Sequence, residues 1–333
     1  MTSDKTSSEE AIIQGYFAEL AQGFAGAHGL ADDCAAIALP AGLDLIVTTD
    51  ALREGVHYFA DDAAADIGWK ALAVNVSDLA AKGAEPIAYV MALSFPEAPR
   101  DKWLRDFVAG LGEAQQTFGM HLVGGDTDKA PGPMSIAITA FGKMPGGAMV
   151  LRGSARAGDH LYVSGTLGDS ALGLLLRRHD EAALAWNIAD SERHYLLDRY
   201  LRPHPVLALR QALRRHAGAA MDLSDGLLKD AGRMASASGL GARLRFADLP
   251  LSAAAAGAIA SDPGRRSAIV AGGDDYEILA AVSPQNTGAF RAAARQAAVA
   301  VTRIGEFNDS GKLVIVDPDD KPMQLEVSGW DHF

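Results

Sequence analysis

Between Gly68 and Pro86 the chain runs through an Ala- and Leu-rich segment in which Trp69, Leu72, Val76 and Leu79 recur every three or four positions. That spacing sets them on one stripe of an α-helix. The stop signals agree: Lys82 in the last turn, Gly83 where a left-handed backbone is tolerated, and Pro86 just beyond. The rest of the chain is organised around this helix. Asn75, Ser77 and Asp78 interrupt it at mid-length, where such side chains compete for backbone hydrogen bonds and are mildly unfavourable. Asn75 and Asp78, three apart, share a face. They read either as a solvated edge, with Asp78 paired to Lys82 one turn on, or as part of a site. Four other Asp-centred stretches favour the site.

At 333 residues two domains are expected, because single cores rarely grow past about 250–300 residues. Apolar residues make up 49% and charged residues 22%, ordinary for a soluble globular protein. With 42 acids against 30 bases and a net charge of −12, binding along nucleic acid or to an anionic membrane is not expected. The same balance suits a protein that gathers cations. Cys34 is the one cysteine, so there is no intrachain disulfide and no zinc-ribbon spacing. The N-terminus is polar and lacks a secretory apolar core. No apolar run approaches the ~18 residues of a membrane span. A soluble cytoplasmic protein is expected.

Along the chain, residues 9–27 read as a helix, 30–37 as a turn leading to a strand, and 43–49 as a strand ending on Asp50. A loop with Arg53, Glu54 and His57 precedes the helix described above. Strands at 87–93 and 134–141 flank a helix at 101–118 and a turn at 124–127. The turn formers at 144–147 mark a domain boundary, giving domains 1–146 and 147–333. Beyond it come a strand at 160–164, a helix at 171–178 and a helical excursion at 180–191. Residues 220–226 form an apolar lead into a sharp turn, with a helix following to Ser238. Strands at 244–246, 278–282 and 302–305, a helix at 288–297 and a terminal hairpin complete the chain. Helices and strands mix without a strict βαβ rhythm, which gives an α+β fold of two domains.

Five places share one design: an apolar strand or helix delivers an Asp at its end, beside Gly, Ser or Thr. They hold Asp33; Thr48, Thr49 and Asp50; Asp78; Gly125 and Asp126; and Asp222, Ser224 and Asp225. Any one Asp serves equally well as a turn former or helix cap. Five together point to carboxylates that converge, and converging carboxylates take up protons or bind cations. Carboxylate and hydroxyl oxygens without a His or Cys cluster are hard ligands suited to Mg²⁺. Gly-Gly before Asp126 and before Asp274 lets backbone approach a ligand closely and offers N–H groups to phosphate. Mg²⁺ beside such turns is a means of holding a nucleoside triphosphate. There is neither a Walker-type loop nor a protein-kinase motif set. Residues 165–170 read either as a further phosphate cradle or as a tight turn capped by Asp169 or Ser170.

Seven segments together resemble the thiamine-monophosphate kinase family. They are Asp32–Ala35, Thr49-Asp50 with His57, Lys70–Ala81, Gly124–Thr127, Asp222–Gly226, Gly272–Glu277 and Trp330–Phe333, in the same order over nearly the whole chain. That family belongs to the superfamily of aminoimidazole ribonucleotide synthetase and selenophosphate synthetase. The resemblance implies two α/β domains, the N-terminal one pairing into a homodimer across a barrel-like sheet. It implies transfer of the γ-phosphoryl of ATP to thiamine monophosphate, forming thiamine diphosphate and ADP. Carried over by position, Asp33, Thr48, Thr49, Asp50, Asp78, Asp126, Asp222 and Asp225 would surround several Mg²⁺ ions, with Asp78, Asp126 and Asp222 most directly tied to catalysis. Gly125, Asp126, Arg152 and Ser224 would touch ATP, and His57, Asp274 and Trp330 the thiamine phosphate. Two positions depart from the family: Ala31 stands where Gly is common, and Asp274 where Glu is.

Taken without the family, Trp330 reads as an anchor for the C-terminal tail, His57 as a loop histidine, Arg152 as a surface ion-pair partner and Cys34 as small packing. Two further readings remain: another ATP-dependent enzyme of the same superfamily, and a non-catalytic nucleotide or Mg²⁺ sensor.

Overall fold

The structure, a computed structural model, describes residues 9–317 and 319–323. The chain divides into two units, one comprising 1–79 and 84–147, the other 80–83 and 148–333. In the first, α1 (Glu9–Ile12) is a single turn, followed by a π turn (Ile13–Phe17) and 3₁₀ turns (Ala18–Ala21, Ala25–Leu30). The continuous helix expected over 9–27 does not form. Glycines at 15, 23 and 26 fall within it, and each costs a helix interior about 1 kcal/mol relative to Ala. Residues 31–40 have no regular structure, and Cys34 there is exposed instead of packed.

The unit's sheet uses β1 (Leu43–Arg53), β2 (Glu85–Phe95), β3 (Leu122–Lys129) and β4 (Ser135–Pro145). Its helices are α2 (Ala64–Ala81) and α3 (Asp101–Phe118). The strand order is β1-β4-β2-β3; β2 and β3 are parallel, joined through α3, and the other pairs are antiparallel. Among the described residues this sheet is open, with β1 and β3 at its edges. On β4 the even-numbered residues from Ile136 to Met144 are buried. The register carries that face to Ile46, Thr48, Asp50 and Leu52 of β1.

α2 departs from the single stripe. From Ile67 to Ala81 every residue except Asp78 is buried. Small alanines let neighbours close in on all sides, so α2 is a core helix and not an amphipathic surface one. Each fully buried Leu or Val on it contributes about 1.5–3 kcal/mol.

The second unit comprises β5 (His160–Ser164), α4 (Asp169–Arg177), α5 (Glu181–Leu184), α6 (Asp190–Leu201), α7 (Arg210–His216) and β6 (Ala219–Asp222). After them come α8 (Leu227–Ala237), β7 (Gly241–Arg245), α9 (Ala253–Ser261) and α10 (Arg266–Ala271). Last are β8 (Ile278–Val282), α11 (Thr287–Gln296), β9 (Val301–Asn308) and β10 (Leu313–Val316). The sheet order is β10-β7-β9-β5-β8-β6, with only β10–β7 parallel.

Both faces of β5 and β8 are covered. Leu161, Val163, Leu279 and Ala281 pack with Leu172, Leu196, Met234 and Ile269 of the helices on one side. Tyr162, Ala280 and Val282 pack with Leu213 and Phe290 on the other. That explains the uninterrupted apolar run of β8. The mixed sheets and two units are the α+β architecture expected. The terminal hairpin, with Trp330, lies outside the described residues.

Candidate functional site

β1 and α2 bring together one group of sequence-predicted residues. The Thr48 hydroxyl donates to the Asp78 carboxylate. One turn earlier, Asn75 Oδ1 accepts the Asp50 N–H at 2.9 Å while its Nδ2 donates to the Ala71 carbonyl at 3.1 Å. Asn75 has no exposed surface, so its polar group is tolerated in the core because both ends are satisfied. Asp78 is half-buried and Asp50 exposed. Lys82 turns elsewhere: its ammonium donates to the Ala220 carbonyl at 2.6 Å, within the second unit.

Thr49, next along β1, donates to the Ile138 carbonyl at 3.0 Å and accepts from Thr139 at 3.1 Å. Asp126 lies apart from Thr48 and Asp50. Residues 124–127, expected to form a turn, are inside β3, where Gly125 pairs with Met91 and Asp126 with Ala92. The register runs Asp126–Ala92–Ala137–Ala51, the face opposite Thr48 and Asp50. β3 also stands three strand spacings from β1, about 14 Å. A Cβ at Gly125 would come within 2.0 Å of the Met91 carbonyl oxygen, so this glycine answers to the neighbouring strand.

Asp33 is exposed in the irregular segment, and Ala31 before it has φ −102°, a conformation that needs no glycine. His57 is committed to local structure, its Nδ1 accepting the Arg53 N–H at 2.9 Å. Among the described residues no three His, Cys, Asp or Glu side chains gather at one metal position. The donors are hard oxygens, and Mg²⁺ is commonly held by one or two carboxylates with phosphate oxygens and water. Hard oxygen donors of this kind suit Mg²⁺.

In the second unit β6 ends on Asp222, 6% exposed. The turn after it lies back to back with residues 272–277. Asp274 N–H donates to the Ser224 carbonyl, Tyr276 N–H to the Leu223 carbonyl and Leu223 N–H to the Glu277 carbonyl, each at 2.8 Å. A Cβ at Gly273 would lie 2.4 Å from the Ser224 oxygen. The Gly-Gly pair thus lets two loops of the chain meet, where a phosphate cradle was expected. Asp274 and Tyr276 adopt left-handed backbone, φ 68° and 51°, and the Tyr276 hydroxyl donates to Asp274 Oδ1 at 3.1 Å. Asp225 is ion-paired with Arg233 and lies 4.0 Å from the Lys229 ammonium. Arg152 is exposed.

Two buried groups here escaped the sequence reading. Asp230, fully buried, accepts the N–H groups of Ser224 (3.1 Å) and Asp225 (2.9 Å) on one oxygen and Arg233 (3.0 Å) on the other. Burial raises its pKa, countered in part by the hydrogen bond from Asp225. The second group centres on Arg199 of α6. One guanidinium nitrogen donates to Glu277 Oε1 at 3.0 Å and to the Asp275 carbonyl at 3.1 Å. Glu277 Oε2 accepts the Ser164 hydroxyl at 2.5 Å.

Both oxygens of Asp275 accept the Gly168 N–H, at 3.0 and 2.9 Å. Burial pushes Asp275 well above the carboxylate range and Glu277 upward, against the pull of the Gly168 N–H and the Arg199 charge respectively. Gly168 is the N-cap of α4, without a side-chain cap. The start of α4 therefore holds the chain's own carboxylate, which disposes of the phosphate cradle at 165–170 and of capping by Asp169 or Ser170. Asp169 instead accepts hydroxyls of Thr166, Tyr195 and Ser252. Only the acidic run 274–277 hinted at this network; Arg199 lies 76 residues from Asp275, beyond any spacing rule.

Residues 31–144 match the family of AIR synthase related proteins, N-terminal domain, and residues 156–318 the corresponding C-terminal domain. The thiamine-monophosphate kinase of Caulobacter vibrioides is 41% identical over 86% of this chain and 80% of that protein. The one from Escherichia coli K12 is 39% identical over 92% of this chain and 91% of its own. Among solved structures, the thiamine-monophosphate kinase of Stenotrophomonas maltophilia superposes with a TM-score of 0.77 at 36% identity, covering 88% of this chain and 91% of that one. AaThiL complexed with AMPPCP and TMP gives 0.77 at 30%, covering 89% of each chain. A chain so similar over nearly its full length, with both domains of the AIR-synthase-related fold in order, belongs to the thiamine-monophosphate kinase family.

Proposed function

We propose that the protein transfers the γ-phosphoryl group of ATP to thiamine monophosphate, forming thiamine diphosphate and ADP. The observation that carries this reading is the likeness to AaThiL complexed with AMPPCP and TMP, an ATP analogue and a second ligand. The acceptor simplifies what the chain must do. A phosphate monoester has a second pKa of about 6, so its attacking oxygen is already anionic near neutral pH and no general base is needed. What remains is to hold two polyanions together, in line, against their repulsion.

Mg²⁺ arriving with the nucleotide supplies charge neutralisation on the phosphate oxygens. Its proposed holders are Asp33, Thr48, Thr49, Asp50, Asp78, Asp126, Asp222 and Asp225, at more than one position because Asp126 lies on the sheet face opposite Thr48 and Asp50, with Asp78, Asp126 and Asp222 as the catalytic carboxylates. Gly125, Asp126, Arg152 and Ser224 are assigned to the nucleotide, and His57, Asp274 and Trp330 to the thiamine phosphate. Domain 1–146 would serve Mg²⁺, ATP and dimerisation, and domain 147–333 would complete the site. The edge strand β1 exposes Leu45 (43%) and Val47 (54%), which supports a homodimer joined along this edge. Among the described residues no helix is long and apolar enough to cross a membrane; a cytoplasmic location is part of the proposal.

The test is ADP formation from ATP and Mg²⁺ with either thiamine monophosphate or thiamine as acceptor. Turnover is expected with the monophosphate alone; turnover with thiamine would overturn the assignment. Asp78→Asn and Asp126→Asn should each lower kcat by about 100-fold or more with unchanged circular dichroism. Undiminished turnover in either variant removes that residue from the mechanism.

A further inference from the structure

We propose that two separate buried carboxylate braces position the ligand-binding loops of the second unit, one for the nucleotide and one for the phosphate acceptor. This rests on the assignment of Ser224 to ATP and Asp274 to the thiamine phosphate.

The first brace is Asp230. It has no exposed surface, and a single oxygen gathers the N–H groups of Ser224 and Asp225, while Arg233 holds the other. The turn carrying Ser224 is thus pinned from beneath by α8. The second brace is Arg199 with Glu277 and Asp275. It grips the acceptor loop at three points: the Asp275 carbonyl from Arg199, the Asp275 carboxylate on the Gly168 N–H, and Glu277 between Arg199 and Ser164. Tyr276 sits between the gripped residues and Asp274 just before them, both in left-handed backbone. Such conformations cost of order 1–3 kcal/mol each and persist only where the surroundings over-determine them.

Stability alone does not account for this arrangement. A buried ion pair is often no better than apolar residues of the same volume, so its retention points to geometry. None of Arg199, Asp275, Glu277 and Asp230 is assigned to ligand. Each acts through the loop that it holds, and the two braces have no residue in common. The loops meet through their backbones at Asp274–Ser224, Tyr276–Leu223 and Leu223–Glu277.

Steady-state kinetics of the full-length protein, with ATP and thiamine monophosphate varied in turn, test this. Glu277→Gln is expected to raise KM for thiamine monophosphate about tenfold while KM for ATP stays within about twofold. Asp230→Asn is expected to do the converse. Arg199→Lys, which keeps the charge but loses the planar, pre-organised guanidinium, should fall between wild type and Glu277→Gln. Should Asp230→Asn fail to fold, Arg233→Met removes the exposed end of the same brace and takes its place.

Equal shifts of both constants in both variants, in step with lost thermal stability, would reduce the braces to general scaffolding and overturn the proposal. So would no shift in either. Asp274→Ala, measured alongside, separates the two layers of the argument. An unchanged KM for thiamine monophosphate there removes the assignment of Asp274, and the acceptor brace with it. A shift there with none in Glu277→Gln refutes the brace alone.

Discussion

Asp275 has its carboxylate wholly inside the second unit, with burial as the main influence on its ionisation. At pH values below the ordinary carboxylate pKa of about 4, Asp275 is protonated in both folded and unfolded chains, and its contribution to stability is fully present. As pH rises, the unfolded chain gives up this proton first, and folding becomes less favourable until pH passes the raised folded value. Asp275→Asn cannot ionise. Its thermal midpoint is therefore expected to fall less than that of the wild type as pH rises above about 4, read by scanning calorimetry. Parallel profiles would mean that the Asp275 carboxyl ionises without a burial penalty. At this scale local patterns single out Thr48, Asp50, Asp78, Asp222, Ser224 and Asp274 as candidates. It did not reveal Asp230 as a brace or Arg199 as a partner, because a buried charge is explained by what lies against it.

α2 was legible from its composition and its stop signals, and Gly83 indeed takes a left-handed backbone with φ 80°. Its complete burial was not, since an alanine face serves equally well against solvent or against a packed strand. The polar interruption finds its explanation in Asn75, which clips α2 to β1 through the Asp50 N–H. Asn75→Ala removes both hydrogen bonds and leaves the Asp50 and Ala71 backbone groups without this partner. The expected cost is about 1–3 kcal/mol, measured as a lower midpoint at unchanged slope in urea. A variant as stable as wild type would mean that water replaces the amide there. The segments 9–27 and 124–127 depart from the sequence expectation for opposite reasons. In the first, glycines outweigh the helical periodicity; in the second, Gly-Gly suggests a turn, but pairing with a parallel neighbour makes the same residues a strand.

The chain as a whole follows two family domains in order, and its two sheets are each built by interleaving strands distant in sequence. If the homodimer forms along β1, a charge on that edge should break it. Val47→Lys is expected to shift the protein to monomer mass in size-exclusion chromatography with light scattering, with its circular dichroism retained. A wild type that already runs as a monomer would remove the homodimer from the proposal.

From its sequence alone this protein fixed its mixed helix-and-strand class, its central apolar helix, the Asp-ended segments and, through their order, its resemblance to a kinase family. These rest on local causes: side-chain periodicity, backbone preference, and the chemistry that a short motif carries. Tertiary structure alone decided that Asn75 is a clip, that Gly273 meets Ser224, that Asp126 shares a strand face with Ala92 and opposes Asp50, and that Arg199 grips the loop of Asp274. Each is a contact between segments far apart along the chain. Which carboxylate is buried against which donor depends on strand order and register, and short-range sequence patterns do not encode those.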